Sequence, residues 1–176
     1  CSFFVSSKKT ISHLLRDCLV VVFKKEKQSI ELIRVMVFGT FDMVHAGHRN
    51  MFQQARDLVN HFNSRNSGVK NNSGVKSSTA ENKLKPYLIV SIARDRNVKR
   101  IKGRNASRGE RARMEMVGKA RGVNKVVLGA TGNHIPHIVK EKPDIIALGY
   151  DQTAYVSGLK SELKKVGLKT KVVRLK

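Results

Sequence analysis

Val37-Phe38-Gly39-Thr40-Phe41-Asp42-Met43-Val44-His45-Ala46-Gly47-His48 reads as the end of a buried strand, a tight glycine-containing turn and the first turn of a helix. Leu32 to Phe38 is an almost unbroken apolar run with β-branched members. A run of that kind marks a strand covered on both faces, as in a parallel sheet. Beyond Gly47, the apolar residues Met51, Phe52, Ala55, Leu58 and Val59 recur at helical spacing. His45 and His48 therefore sit at or just before a helix N-terminus. Unpaired backbone N–H groups and the helix dipole favour an anion there, and a polyphosphate suits the position.

Downstream, strands and helices alternate. Tyr87 to Ala93 is a second buried strand, followed by Arg94 to Arg104, a stretch too basic for a core. Gly109 to Ala120 predicts a helix with Met114, Val117 and Ala120 on its apolar side and Arg111 and Arg113 near its start. Lys125 to Gly129 is a strand, Ile135 to Glu141 a short helix and Asp144 to Gly149 another strand. A helix from about Val156 to Val166 ends at Gly167, in the usual terminating position, and Lys171 to Leu175 is the fifth strand. This order predicts right-handed βαβ units in an α/β, three-layer fold with a five-stranded, mostly parallel sheet. Ligands of such sheets bind beyond the carboxyl ends of the strands, at the switch point. The loops carrying His45 and His48, Lys102 and Arg104, and Gly149-Tyr150-Asp151-Gln152 all converge on that edge.

The 176 residues suffice for one domain with a sizeable core, and the apolar runs are too short to cross a bilayer. Lys plus Arg number 35 against 13 for Asp plus Glu, a net charge of +22, so an anionic partner is expected. Cys1 and Cys18 make neither a disulfide framework nor a metal set, which fits a reducing cytoplasm. Residues 1–31 are read as an N-terminal extension of unknown role, and 32–176 as the domain. The domain is interrupted at 64–86 by a Ser-, Asn-, Gly- and Lys-rich insertion with the repeat Asn66-Ser67-Gly68-Val69-Lys70, Asn72-Ser73-Gly74-Val75-Lys76. Such a composition buries too little apolar surface to offset its ordering entropy, so a mobile surface loop is expected there.

Gly39-Thr40-Phe41-Asp42-x-x-His45-x-Gly47-His48 resembles the signature of the cytidylyltransferase-like nucleotidyltransferases, a Rossmann-like superfamily. Ala93-Arg94-Asp95, Val98-Lys99, Lys102-Gly103 and Pro143-Asp144-Ile145-Ile146-Ala147-Leu148-Gly149-Tyr150-Asp151-Gln152 look like the archaeal-type FAD synthase branch. The likeness covers about Ile33 to Leu175. It implies adenylyl transfer from ATP to FMN, with Mg2+ arriving on the triphosphate and no dedicated protein metal site. By the same resemblance, His45, His48 and Lys102 would be catalytic, holding phosphate oxygens. Gly39, Thr40, Phe41, Asp42, Gly47, Arg104, Arg113, Arg121, Gly149, Asp151 and Gln152 would contact the nucleotide. In relatives an Arg-containing loop with a Ser/Thr-rich helix start follows the fifth strand and also grips the triphosphate. This sequence stops at Lys176, where that segment would begin. The branch is expected either to carry it further on or to work without it.

Other readings compete. The glycerol-3-phosphate cytidylyltransferases are similar in layout, with CTP and a phosphorylated polyol as substrates. A basic, non-catalytic nucleic-acid-binding protein on this scaffold would explain the charge, although no familiar recognition module is legible and aromatic residues are few. His134 and His137 repeat the His-x-x-His spacing, but without cysteine or acidic partners a four-histidine zinc site is disfavoured. Asp42 could instead cap the following helix. No phosphate-binding Walker loop, G-x-G-x-x-G or G-x-S-x-G is present. No membrane contact is expected, and assembly as a homodimer is left open.

Overall fold

The computed structural model describes residues 30–66, 84–150, 152 and 158–176. In chain order the elements are β1 (Leu32–Gly39), α1 (Ala46–Asn66), β2 (Lys85–Ile92), α2 (Asp95–Lys102) and α3 (Glu110–Gly118). They continue with β3 (Lys125–Leu128), α4 (Ile135–Glu141), β4 (Ile145–Leu148), α5 (Leu159–Lys165) and β5 (Lys171–Arg174). The strands form one sheet in the order β3-β2-β1-β4-β5. Every pairing is parallel, so the sheet is wholly rather than mostly parallel.

Strand β1 lies at the centre because both its faces are apolar. Val35 and Val37 join Phe52, Ala55 and Val59 of α1 and Val117 of α3 in one core. Met36 joins Ile135 and Ile138 of α4 and Leu159 and Leu163 of α5 in the other. Two helix layers thus sandwich the sheet. The first three strands run outward from β1 on one side, and β4 and β5 on the other. The switch point falls between β1 and β4, beside the end of the histidine-bearing loop.

Several boundaries differ from expectation. Helix α1 continues to Asn66 and β2 starts at Lys85, so the ordered elements enter the expected 64–86 insertion from both sides. The start expected for the last helix and the readings of the first 29 residues and of 67–83 fall outside the described residues. The basic stretch after β2 is the main correction. It forms helix α2, in which Asn97 and Val98 are buried. With Val98 as its sole buried apolar residue, its periodicity was too weak to read. Lys99, Arg100 and Lys102 lie in its last turn, where the helix dipole favours cations, and Gly103 ends it at φ 68°, donating its N–H to the Lys99 carbonyl.

Candidate active site

The loop leaving β1 is built around Phe41. Its ring is buried, 2% exposed, and its backbone takes the left-handed region at φ 52°. A Cβ on Gly39 would lie 2.7 Å from that ring, so only glycine fits beneath it. Phe41 packs edge-on to His48 at 4.9 Å between centroids and against Phe52 at 5.5 Å. Phe41 thus supports the site from below instead of facing a nucleotide.

The two histidine rings stack 3.9 Å apart. Their hydrogen bonds fix different protonation patterns. Gly47 N–H donates to His45 Nδ1 at 3.1 Å, so that nitrogen is an acceptor and the His45 proton sits on Nε2. His48 Nδ1 lies 2.8 Å from the Met43 carbonyl, which can only accept, so Nδ1 carries the proton there. Neutral His45 can therefore donate from Nε2, whereas His48 can donate from Nε2 only as the imidazolium. A Cβ on Gly47 would come within 3.0 Å of the His45 ring, so glycine allows the ring to fold back over the helix start.

Around this loop, a hydrogen-bond network with the buried Arg113 at its centre joins three segments. The Asp42 carboxylate accepts the N–H groups of Ser107 at 2.9 Å and Arg108 at 3.0 Å. It ties down the segment before α3 and does not cap α1. The Ser107 bond is the main cause holding its carboxyl below the ordinary value, with Arg108 adding to it against a smaller opposing effect of burial. Arg113 is fully buried. Its guanidinium donates to the carbonyls of Thr40, Ala93 (2.8 Å) and Arg108 (3.0 Å), and to the Asp95 carboxylate at 2.6 Å. Asp95 in turn accepts the Glu110 N–H, and Glu110 accepts the Asp95 N–H, both at 3.1 Å. Burial acts to raise the Asp95 carboxyl, but the hydrogen bonds from Arg113 and Glu110 and the nearby guanidinium charges outweigh it and lower it. The phosphate contact expected of Arg113 is therefore corrected: its donors are taken up by loops, because five N–H groups can satisfy carbonyls that have no strand partner.

On the other side of the switch point, Gln152 donates from its amide to the Phe38 carbonyl at 2.6 Å and accepts the Gly149 N–H at 3.2 Å. Its amide thus stitches the ends of β1 and β4 together. Arg174, which the sequence reading passed over, donates to the carbonyls of Gly149 (3.3 Å), Tyr150 (2.8 Å) and Gln152 (3.1 Å). The available signal was the cation Arg174 between the apolar residues Val173 and Leu175 of the stretch Lys171-Val172-Val173-Arg174-Leu175. Asp151 lies outside the described residues.

Lys102 and Arg104 are exposed at the end of α2 and just beyond it, on the segment that returns to Asp42. Arg121 is elsewhere. It lines a polar cleft with Gln53, Arg56, Asp57, Asn60, Pro86 and Gly122. Pro86 begins β2 and Arg121 precedes β3, so that cleft belongs to the amino edge of the sheet, opposite the histidines. The nucleotide contact expected of Arg121 does not match this position. His137 is half-buried, with Nε2 3.0 Å from Ser91 Oγ of β2. Among the described residues, no group of three or more His, Cys, Asp or Glu is placed to hold a metal ion.

The cytidylyltransferase-like family model matches residues 36–81 and 75–176, which include the whole histidine loop, the second half of β1 and all of β4. The chain belongs to the cytidylyltransferase-like family. It is 37% identical over 142 residues to the FAD synthase of Korarchaeum cryptofilum, covering 81% of this chain and 80% of that one. The FAD synthase of Pyrococcus horikoshii is 35% identical over 144 residues, with the same coverage. Among solved structures, the lipopolysaccharide core biosynthesis protein from Thermoplasma volcanium matches with a TM-score of 0.63 and 28% identity, over 82% of this chain and 96% of that one. The family placement accounts for the parallel sheet and for the loop at its centre.

Proposed function

We propose that this protein is a nucleotidyltransferase that moves the adenylyl group of ATP to the phosphate of FMN, giving FAD and pyrophosphate. A phosphate oxygen of FMN bonds to the α-phosphorus of ATP. The bond from that phosphorus to the oxygen bridging to the β-phosphorus breaks, and pyrophosphate leaves with that oxygen. Little proton transfer is needed, so catalysis rests on positioning and on meeting charge that builds on the phosphoryl oxygens.

The observation that carries this reading is similarity to proteins named FAD synthase across about four fifths of each chain, with the histidine pair at the switch point. His45 supplies a neutral N–H donor, and His48 a charged one when protonated. The N-terminus of α1 and the Thr40 hydroxyl are further donors in reach of that loop. Lys102 and Arg104 supply cations from the segment that Asp42 tethers. Asp42 and Asp95 accept backbone N–H groups and the Arg113 guanidinium, so magnesium fits as an ion held by phosphates and waters. When bound, it neutralises triphosphate charge. Within the described residues no helix is long and apolar enough to cross a membrane, and a reaction drawing on ATP and FMN fits the cytoplasm.

The test is a reaction of the protein with magnesium, ATP and FMN, with flavins separated by chromatography and pyrophosphate measured in parallel. FAD and pyrophosphate in equal amounts are expected. Turnover of CTP with glycerol 3-phosphate, and none of FMN, would replace this assignment with a polyol-phosphate cytidylyltransferase. Absence of both products would overturn nucleotidyl transfer.

A further inference from the structure

Between Arg94 and Arg111 the chain carries cations far in excess of acids, and the acids are already engaged. Asp95 is paired with Arg113, and Glu110 with Arg94 at 3.3 Å. Arg96, Lys99, Arg100, Lys102, Arg104 and Arg111 are exposed, and no ion pair is found for them among the described residues. Arg96, Lys99 and Arg100 stand at helical spacing i, i+3 and i+4, so they share one face of α2. The opposite face holds Asn97 and Val98, and Asn97 donates to the Ala130 carbonyl at 2.7 Å, docking the helix on the loop after β3. Arg100 also acts on His134: after burial, its charge is the second cause lowering the imidazole.

Like charges one turn apart repel, and the helix dipole favours cations only near the C-terminus, which leaves Arg96 unexplained by helix stability. The field of exposed cations is screened beyond about 8 Å at physiological salt, whereas an anion lying directly on the ridge is not screened from it. Consecutive cations call for consecutive phosphates.

We propose that the exposed ridge of Arg96, Lys99 and Arg100 binds the phosphodiester backbone of a nucleic acid without reading its sequence. The few aromatic residues of the chain fit backbone tracking rather than base stacking. The assignment rests on the charge and spacing of these three side chains and not on the adenylyl-transfer reading.

The experiment is fluorescence anisotropy of the full chain with a labelled single-stranded RNA of roughly 20 nucleotides, and with a DNA duplex, between about 50 and 200 mM salt. Both are expected to bind, and binding to RNA should weaken with salt by a slope of about 0.7 per phosphate neutralised. The triple variant Arg96→Gln/Lys99→Gln/Arg100→Gln should lose about 2 units of that slope while forming FAD at the parental rate. A second triple variant, Lys160→Gln/Lys164→Gln/Lys165→Gln, removes the same charge from α5 and should bind like the parent. No binding at the lowest salt would overturn the proposal, as would equal losses in both variants, which would mean diffuse net charge. A first variant that binds RNA normally but loses kcat/KM would overturn it in favour of steering.

Discussion

At the residue scale, the histidine pair was legible and its protonation was not. The spacing His45-x-x-His48 placed both at a helix start, but the tautomers depend on Gly47 N–H and the Met43 carbonyl, contacts that only the folded loop creates. Replacing either histidine by Ala should lower kcat about a hundredfold or more, as loss of a donor to developing charge does, with little change in thermal stability. The two should differ in what rescues them. His48→Gln keeps a neutral amide donor, so it should restore less of the lost kcat than His45→Gln does, since His45 already donates as the neutral imidazole. Equal rescue by Gln at both positions would remove the charged role from His48. Arg113 was legible as a functional arginine and misread in kind. Its complete burial comes from three loop carbonyls and Asp95, none adjacent in sequence. Arg113→Met should cost about 3–5 kcal/mol in urea unfolding, since it strands buried acceptors. Asp95→Asn should cost about 1 kcal/mol or less, because the Asp95 side chain is 48% exposed and solvent screens its charge.

At the scale of elements, strands were readable wherever both faces are apolar, as in Val35-Met36-Val37 and Ile145-Ile146-Ala147-Leu148. Helix α2 was not, because it docks through Asn97 and Val98 and a cap at Gly103 rather than through an apolar stripe. The ends of α1 and β2 were misplaced for the opposite reason: Asn-, Ser- and Lys-rich composition continues into ordered structure at Ser64-Arg65-Asn66 and Lys85-Pro86. Helix α1 begins beside the carboxyl end of β1 and leads to the start of β2, so its far end lies at the amino edge of the sheet. The described flanks Asn66 and Leu84 therefore lie on the side away from the histidines. Replacing residues 67–83 with a short Gly-Ser linker should leave kcat and both KM values within about twofold of the parent. A large rise in KM with kcat unchanged would make the segment part of the substrate site. Asp42→Asn should act in the reverse sense, raising KM for the triphosphate by loosening the segment that carries Lys102 and Arg104, with the steady-state KM for ATP as the readout.

For the whole molecule, the alternation of strands and helices was enough to specify the three layers and the crevice, because each apolar run has a single way to be covered on both faces. What it left out are polar groups drawn into those layers. His137 sits against Ser91, which is buried on β2, and Ile135 and Ile138 flank it on α4. Burial is the main cause lowering the imidazoles of His134 and His137 below the ordinary 6.5; for His137 the Glu141 charge opposes it without reversing it. The folded chain thus disfavours the charged form. As pH falls through 6.5, the unfolded chain takes up protons that the folded chain resists, so stability falls over the window from 6.5 down to the folded titrations. Asp42 and Asp95, lowered from 3.8, contribute stability that is present above that value and is lost as pH drops through their folded titrations. Two separate acid-side declines should appear when the midpoint of thermal unfolding is followed by circular dichroism from about pH 8 to 3. The double variant His134→Gln/His137→Gln should abolish the upper decline and keep the lower one, whereas Asp42→Asn/Asp95→Asn should do the opposite. A parental midpoint that stays flat between about pH 8 and 5 would show that neither histidine is protected from protons by the fold.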